Sequence, residues 1–173
     1  MRLISELIKN SRRSDRALAS VLGVSQPTIS RILKKLEKEG YIKGYTLMLE
    51  FSKLGFEILA ITFAKLKYPL TSEDIEKARR QVCEVINKEN SCVLLGMSGI
   101  GCDADRVVVS LHEDYSSYLS FVNLIKRQET VEVDSVKSFI VNLNDKTHFL
   151  PLNFTGIAGY ILRGEFKTKA SKL

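Results

Sequence analysis

A two-faced helix behind a tight turn constrains the fold of this chain more than any other stretch. The segment from Gly23 to Gly40 reads Gly-Val-Ser-Gln-Pro-Thr-Ile-Ser-Arg-Ile-Leu-Lys-Lys-Leu-Glu-Lys-Glu-Gly. Ser25 suits an N-cap, since its hydroxyl can accept from a first-turn N–H, and Pro27 lies where a missing N–H costs little. Apolar residues follow the i, i+3, i+4, i+7 spacing of a buried stripe: Ile29, Ile32, Leu33 and Leu36. The segment therefore predicts a helix with one buried face that ends at Gly40.

A second face of the same helix is cationic. It carries, at the same helical spacing, Arg31, Lys34, Lys35 and Lys38. Short polar side chains stand at its amino end: Gln26, Thr28 and Ser30. Cations suit phosphates, and amide or hydroxyl groups suit base edges, so this face fits the DNA major groove. A lysine-rich helical face is also often simply solvated, so the helix alone leaves both interpretations open.

The distribution of charge favours a polyanionic partner. The chain has a net charge of +6, and residues 1–55 alone contain 11 Lys/Arg and 5 Asp/Glu. Residues 56–173 contain 15 of each kind and are neutral. A merely solvated surface does not predict that the whole excess falls on the part with the two-faced helix, whereas nucleic acid as a partner does.

The composition is that of a globular protein. Hydrophobic residues make up 45% of the 173 residues, which allows a real core. No run of about 18 apolar residues is present, so no membrane span is predicted. The N-terminal stretch is amphipathic and includes Glu6, unlike a signal peptide. We therefore expect a cytoplasmic protein.

Cysteine and histidine residues form no metal-binding or disulfide pattern. The three cysteines, Cys83, Cys92 and Cys102, contain no Cys-x-x-Cys pair, and the two histidines, His112 and His148, lie far apart in the sequence. We expect reduced, mostly buried thiols, although Cys102 lies in a glycine-rich loop where exposure and a redox role stay open. The sequence predicts no cofactor and no metal site.

Two shorter helices are predicted before the two-faced helix. Residues 2–10 are amphipathic, and Ser14 can cap a second helix from Asp15 to Leu22, after which Gly23 permits a sharp turn. Three helices in this order make a helix-turn-helix unit. Three arginines flank the second helix, where a supporting helix crosses the phosphate backbone: Arg12, Arg13 and Arg16. Residues 41–50 are expected to form a short strand or hairpin, a wing, with Lys43 at its edge.

From residue 56 the predicted elements alternate as β-α-β-β-α-β. The expected strands are Phe56–Lys67, Cys92–Met97, Arg106–His112 and Val131–Leu143. The expected helices run from Thr71 or Ser72 to about Glu89 and from Asp114 to about Arg127. The second helix is expected to turn four residues inward: Tyr118, Leu119, Val122 and Ile125. A loop from Ser98 to Asp105 joins the middle strands, and the order matches a ferredoxin-like antiparallel sheet with two helices on one face.

The predicted strands are apolar at consecutive positions, as strands are when both sheet faces are buried. Because two helices cover only one face, we expect a second copy of the chain to cover the other. The chain thus divides into residues 1–55, a winged helix-turn-helix with its linker, residues 56–145, a ferredoxin-like domain, and residues 146–173, a C-terminal extension. The fold class is α+β.

Three motifs resemble the Lrp/AsnC (feast/famine) transcription regulators. They are Ser-Asp-Arg-Ala-Leu-Ala, Gly-Val-Ser-Gln-Pro-Thr-Ile-Ser-Arg and Leu-Glu-Lys-Glu-Gly-Tyr-Ile-Lys-Gly-Tyr, which begin at residues 14, 23 and 36. The resemblance covers residues 1 to about 143, and residues 144–173 extend beyond the usual end of the family. It implies double-stranded DNA read by residues 26–38, and homodimers, often assembled further, formed sheet to sheet. It also implies a small effector, frequently an amino acid, near a glycine-containing loop, here Gly99, Gly101 and Asp103.

Other functions stay open at this point. The same basic helix would serve an architectural protein that coats DNA with little sequence preference. The family's fold also resembles siroheme decarboxylase subunits, for which the candidates here would be Arg106, His112 and His148. The segment from Gly99 to Asp103 fits a plain hairpin loop equally well. Since no nucleophile–base pair or phosphate-binding loop occurs, we expect a regulator that is not an enzyme.

Overall fold

The computed structural model describes residues 1–69, 71, 73–80, 92–127, 132–147 and 153–163. They form two compact units. The N-terminal unit begins at Met1, ends at Met48 and also includes the last helix of the chain, whereas the sheet unit begins at Leu49 and contains all four strands. Within the described residues, no helix has the length and apolar character needed to cross a membrane.

Local capping signals mark the starts of two of the four described helices in the N-terminal unit. The four helices are α1 (Arg2–Lys9), α2 (Asp15–Leu22), α3 (Gln26–Lys38) and, near the C-terminus, the helix Thr155–Arg163. Ser14 Oγ accepts from the Ala17 N–H at 3.2 Å, and Ser25 Oγ accepts from the Thr28 N–H at 3.4 Å. Gly23 adopts the left-handed φ of 68° that closes α2. Both predicted N-caps and the predicted glycine turn are confirmed.

The buried stripe of α3 joins α1 and α2 in one core. The buried members are Leu3, Leu18, Ala19, Ile29 and Leu36. Partly buried residues pack around them: Ile4, Leu7, Leu22, Ile32, Leu33 and Ile42. All four apolar positions predicted for α3 are in this core, so the three-helix prediction is confirmed.

The strand or hairpin predicted within residues 41–50 does not form, and that prediction was wrong. The backbone there carries no strand assignment. Ile42 packs on the helical core instead, and the Tyr45 hydroxyl donates to Glu37 Oε1 at 2.9 Å. A strand needs a neighbouring strand for its hydrogen bonds, whereas this segment contacts α3 through side chains.

The sheet unit is a four-stranded antiparallel sheet with the strand order β2-β3-β1-β4. The strands are β1 (Ile58–Leu66), β2 (Cys92–Gly101), β3 (Ala104–His112) and β4 (Val133–Asn142). The helices are a 3-10 turn (Phe51–Leu54), α4 (residues 73–80) and α5 (Tyr115–Lys126). The predicted ferredoxin-like order is confirmed. The continuation of α4 to about Glu89 lies outside the described residues.

The loop predicted from Ser98 to Asp105 is in fact a two-residue turn. β2 continues to Gly101 and β3 begins at Ala104, so only Cys102 and Asp103 lie between the paired strands. Their φ angles are 54° and 53°, both left-handed, as a tight hairpin turn requires. The prediction was too wide because glycines at 99 and 101 suggested a loop, whereas they are part of the strand.

One face of the sheet packs on α5. Asp114 Oδ1 caps α5 by accepting from the Ser117 N–H at 2.7 Å. Tyr118 and Val122 of α5 cluster with Ala60 of β1. The prediction that Leu119 points inward was wrong, since its side chain is 42% exposed. It follows Tyr118 by one residue, which turns it about 100° around the helix axis.

The other face of the sheet is apolar and exposed. On β1, Ile61 pairs with Val109 of β3 and with Phe139 of β4, so these three side chains share one face, opposite to that of Ala60. Phe139 is 65% exposed, and Met97 of β2 is also exposed. The expectation that the strands carry apolar residues on both faces is therefore confirmed.

Candidate nucleic-acid interface

The cationic face of α3 is solvent-exposed, opposite the buried Ile29 and Leu36. Its exposed members are Arg31, Lys34, Lys35 and Lys38. Lys35 Nζ lies 3.7 Å from Glu39 Oε1. Among the described residues, the other three form no ion pair with a carboxylate. Their charges are therefore available to an external anion.

The polar residues at the start of α3 differ in availability. The Gln26 side chain is exposed, whereas Thr28 and Ser30 are half-buried. Thr28 Oγ1 lies 2.8 Å from Ser25 Oγ, so its hydroxyl is already engaged at the cap. Gln26 is the amide that can reach a base edge without giving up a bond within the chain.

The three arginines around α2 also differ in whether they are available to DNA. Arg12 and Arg16 are exposed. The Arg13 guanidinium instead donates to Glu6 Oε2, and Lys9 Nζ bonds the other oxygen of that carboxylate at 2.6 Å. The hydrogen bond from Lys9, helped by that from Arg13, holds the pKa of Glu6 below its ordinary value. Arg13 therefore ties the start of α2 to α1, a role that the sequence spacing did not reveal.

Lys43 follows α3 in the segment without strand structure and is exposed. It comes three residues after Gly40, which ends α3 at a left-handed φ of 75°. The Tyr41 N–H donates to Leu36 O at 2.9 Å and completes the helix stop. Like Arg12 and Arg16, Lys43 is an exposed cation outside α3 itself.

The three predicted effector residues do not form one cluster. Gly99 and Gly101 line a cavity of about 200 Å³ together with Phe63 and Arg106. Asp103 does not line it and instead forms ion pairs with Lys65 and Lys137. The hydrogen bond from Lys65 lowers the pKa of Asp103 below its ordinary value. The cavity is thus bounded by glycine backbone, apolar side chains and one guanidinium.

Of the residues considered for tetrapyrrole chemistry, the two that the structure describes, Arg106 and His112, lie apart. His112 is buried, its Nε2 lies 2.8 Å from Ser110 Oγ, and its ring lies 5.6 Å from that of Tyr118 and 5.2 Å from that of Phe121. Burial lowers the pKa of His112. Arg106 lies towards the opposite end of β3, and His148 is outside the described residues. His112 therefore serves the packing of α5 on the sheet.

Comparison with known proteins places the chain in a family. A family described as winged helix-turn-helix DNA-binding matches residues 1–43. The HTH-type transcriptional regulator LrpC of Bacillus subtilis (strain 168) is 37% identical over 129 residues, which cover 70% of this chain and 87% of that protein. The chain belongs to the Lrp/AsnC family of transcription regulators.

Other proteins match parts of the chain or its whole fold. An HTH-type regulator of Pyrococcus furiosus, PF1734, is 45% identical over 60 residues, which span 35% of this chain and only 40% of that protein. The crystal structure of PH0061, from Pyrococcus horikoshii, has a TM-score of 0.66 at 25% identity and covers 88% of this chain and 95% of its own. The NMB0573/L-Met complex from Neisseria meningitidis has a TM-score of 0.66 at 18% identity, covers 90% of this chain and 95% of its own, and shares the fold.

Proposed function

We propose that this Lrp/AsnC regulator binds double-stranded DNA by placing α3 in the major groove. The observation that carries the proposal is the exposed cationic face of α3, opposite an apolar stripe that packs in the helical core. A helix of this kind can enter the groove because its buried face fixes its orientation, and its free side chains then meet phosphates and bases. The +6 charge of residues 1–55 adds long-range attraction.

The residues take different roles in this proposal. Gln26 and Arg31 are assigned to base edges, because an amide and a guanidinium can each form paired hydrogen bonds with one base. The remaining free cations are assigned to phosphates: Arg12, Arg16, Lys34, Lys38 and Lys43. Thr28, Ser30 and Lys35 have weaker claims, because each is half-buried or already has a partner within the chain. Arg13 is assigned to the intramolecular contact with Glu6.

Replacing Arg31 by alanine tests the base-reading assignment. Loss of one guanidinium that reads a base is expected to weaken binding by about 1–3 kcal/mol and to relax specificity at one position. The matched control is Lys34→Ala, which removes one positive charge from the same helix at a residue assigned to phosphate and should mainly reduce the salt dependence. Fluorescence anisotropy with a duplex from upstream of the protein's own gene gives both values. An Arg31→Ala variant that binds as tightly as the parent would contradict the assignment.

The exposed apolar sheet face is proposed to pair with the same face of a second copy. A two-fold axis would place Ile61, Val109 and Phe139 against their equivalents and bury them. Two copies also supply two α3 helices, which fits DNA half-sites about 34 Å apart on one side of the duplex. Further assembly of such dimers is compatible with this arrangement.

A small effector, such as an amino acid, is proposed for the cavity that Gly99 and Gly101 line. The support is the cavity itself, which has an arginine at its wall, and the complex that the structural relative NMB0573 forms with L-Met. Arg106 can bind a carboxylate, and the glycines leave backbone groups accessible. A thermal-shift screen of amino acids is expected to yield a stabilising compound whose effect is lost in Arg106→Met. If no compound in the screen stabilised the protein, the effector proposal would be contradicted, and the segment would be only a hairpin turn.

A further inference from the structure

The last helix of the chain returns to the N-terminal unit. Helix α6 (Thr155–Arg163) lies against α1, and two small residues meet where they touch. Ser5 is 0% and Ala158 is 2% exposed, and Ser5 Oγ donates to Ala158 O at 3.1 Å. A buried hydroxyl is costly without a partner, so this bond favours the docked arrangement of α6.

Helix α1 stands between α6 and the DNA-binding helices. On one side, Ser5 holds α6. The next residue, Glu6, binds the guanidinium of Arg13 just before α2, and Leu3 lies in the core with Ile29 of α3. Contacts therefore run without a break from α6 through α1 to α2 and α3, which carry the candidate DNA-binding side chains.

The chain connects the two units twice. One connection follows α3, and the other leaves β4 at Asn142 and reaches α6 at Thr155. The second connection has 12 residues, which span at most about 40 Å when extended. The chain therefore runs from the end of the sheet back to α6, which lies on α1.

We propose that α6 is an intramolecular strap whose docking on α1 sets the DNA affinity of the N-terminal unit. Docked, it holds α1 in place and so pre-organises α2 and α3 for the groove, which lowers the ordering cost of binding. Undocked, it leaves the Ser5 side of α1 uncovered, and DNA affinity falls with the docked fraction. The proposal rests on the DNA-binding function proposed above.

Adjacent substitutions on α6 separate docking from any general effect on the helix. Ala158→Gln puts a long side chain at the closed contact and should displace α6, whereas Ile157→Gln places the same residue at a position that is 50% exposed. In the full chain, Ala158→Gln is expected to speed amide hydrogen exchange throughout α1 at least about tenfold and to weaken DNA binding about five- to tenfold. Ile157→Gln should match the parent in both measurements.

Two controls support the interpretation of these measurements. Unchanged exchange in β1 and β3 shows that the sheet unit of the variant stays folded, and Ser5→Ala, a milder change, should shift α1 exchange and affinity in the same direction. If amide exchange in α1 were unchanged in Ala158→Gln, the strap proposal would be overturned. It would also be overturned if exchange became faster while the DNA affinity stayed the same. A parent protein that does not bind DNA would instead overturn the proposed function, and the exchange data would still report on docking.

Discussion

Replacing Phe139 by aspartate is expected to prevent the proposed pairing of two sheet faces and to leave the protein monomeric. Phe139 is 65% exposed on the sheet face opposite α5, beside Ile61. A two-fold interface repeats each substitution, so two phenylalanines are lost and two carboxylates are brought together. At about 1.5–3 kcal/mol for each buried phenylalanine, dissociation should become about 10²- to 10⁴-fold easier before charge repulsion is counted.

The control for this prediction is Leu119→Asp. Leu119 is also an exposed large apolar residue, but it lies on α5 and away from that sheet face. Sedimentation velocity at several concentrations should show a monomer for Phe139→Asp and the parent assembly for Leu119→Asp. The same assembly in both variants would exclude the sheet face as the interface. Far-ultraviolet circular dichroism would verify that both variants retain the fold, as expected for exposed positions.

Loss of the oligomer should also weaken DNA binding. Two joined N-terminal units bind two half-sites with the second event made intramolecular, which raises the overall affinity without new contacts. The monomeric Phe139→Asp variant is therefore expected to retain binding to a single half-site and to lose the gain from the second one.

The helices α1, α2 and α3 could be predicted from the sequence almost residue by residue because their signals are local. Ser14, Gly23 and Ser25 mark helix ends through bonds to backbone groups within three or four residues. The apolar stripe of α3 likewise specifies which face is buried. Each of these sequence signals lies within a few residues of the helix end or helix face that it determines.

Features that depend on distant partners could not be predicted in this way. The contact of Ser5 with Ala158 joins residues 153 positions apart, and two small residues give no periodic signal. The sequence alone assigns Arg13 to phosphate, because its pairing with Glu6 crosses the break between α1 and α2. The hairpin turn at Cys102 and Asp103 lacks the Asn-Gly signature of such turns. The neighbouring glycines therefore suggest a longer loop than the two-residue turn that forms.

The salt dependence of DNA binding is the second large effect expected. Each copy exposes six cations that form no ion pair within the described part of the chain: Arg12, Arg16, Arg31, Lys34, Lys38 and Lys43. If two copies together neutralise about 6–10 phosphates, the affinity should fall about 10³- to 10⁵-fold between 50 and 200 mM salt. Contacts to bases release no counterions, so a preference for one sequence should persist as the total affinity declines.

The most direct test is therefore binding of the full chain to the duplex upstream of its own gene, against a scrambled duplex, at low and moderate salt. If the protein is a sequence-specific regulator, it should bind the native duplex much more tightly than the scrambled one, and this preference should survive the added salt. Equal binding to both duplexes that vanishes with salt would favour an architectural protein. No binding even at low salt would contradict the central claim, since the cationic face of α3 would then be only a solvated surface.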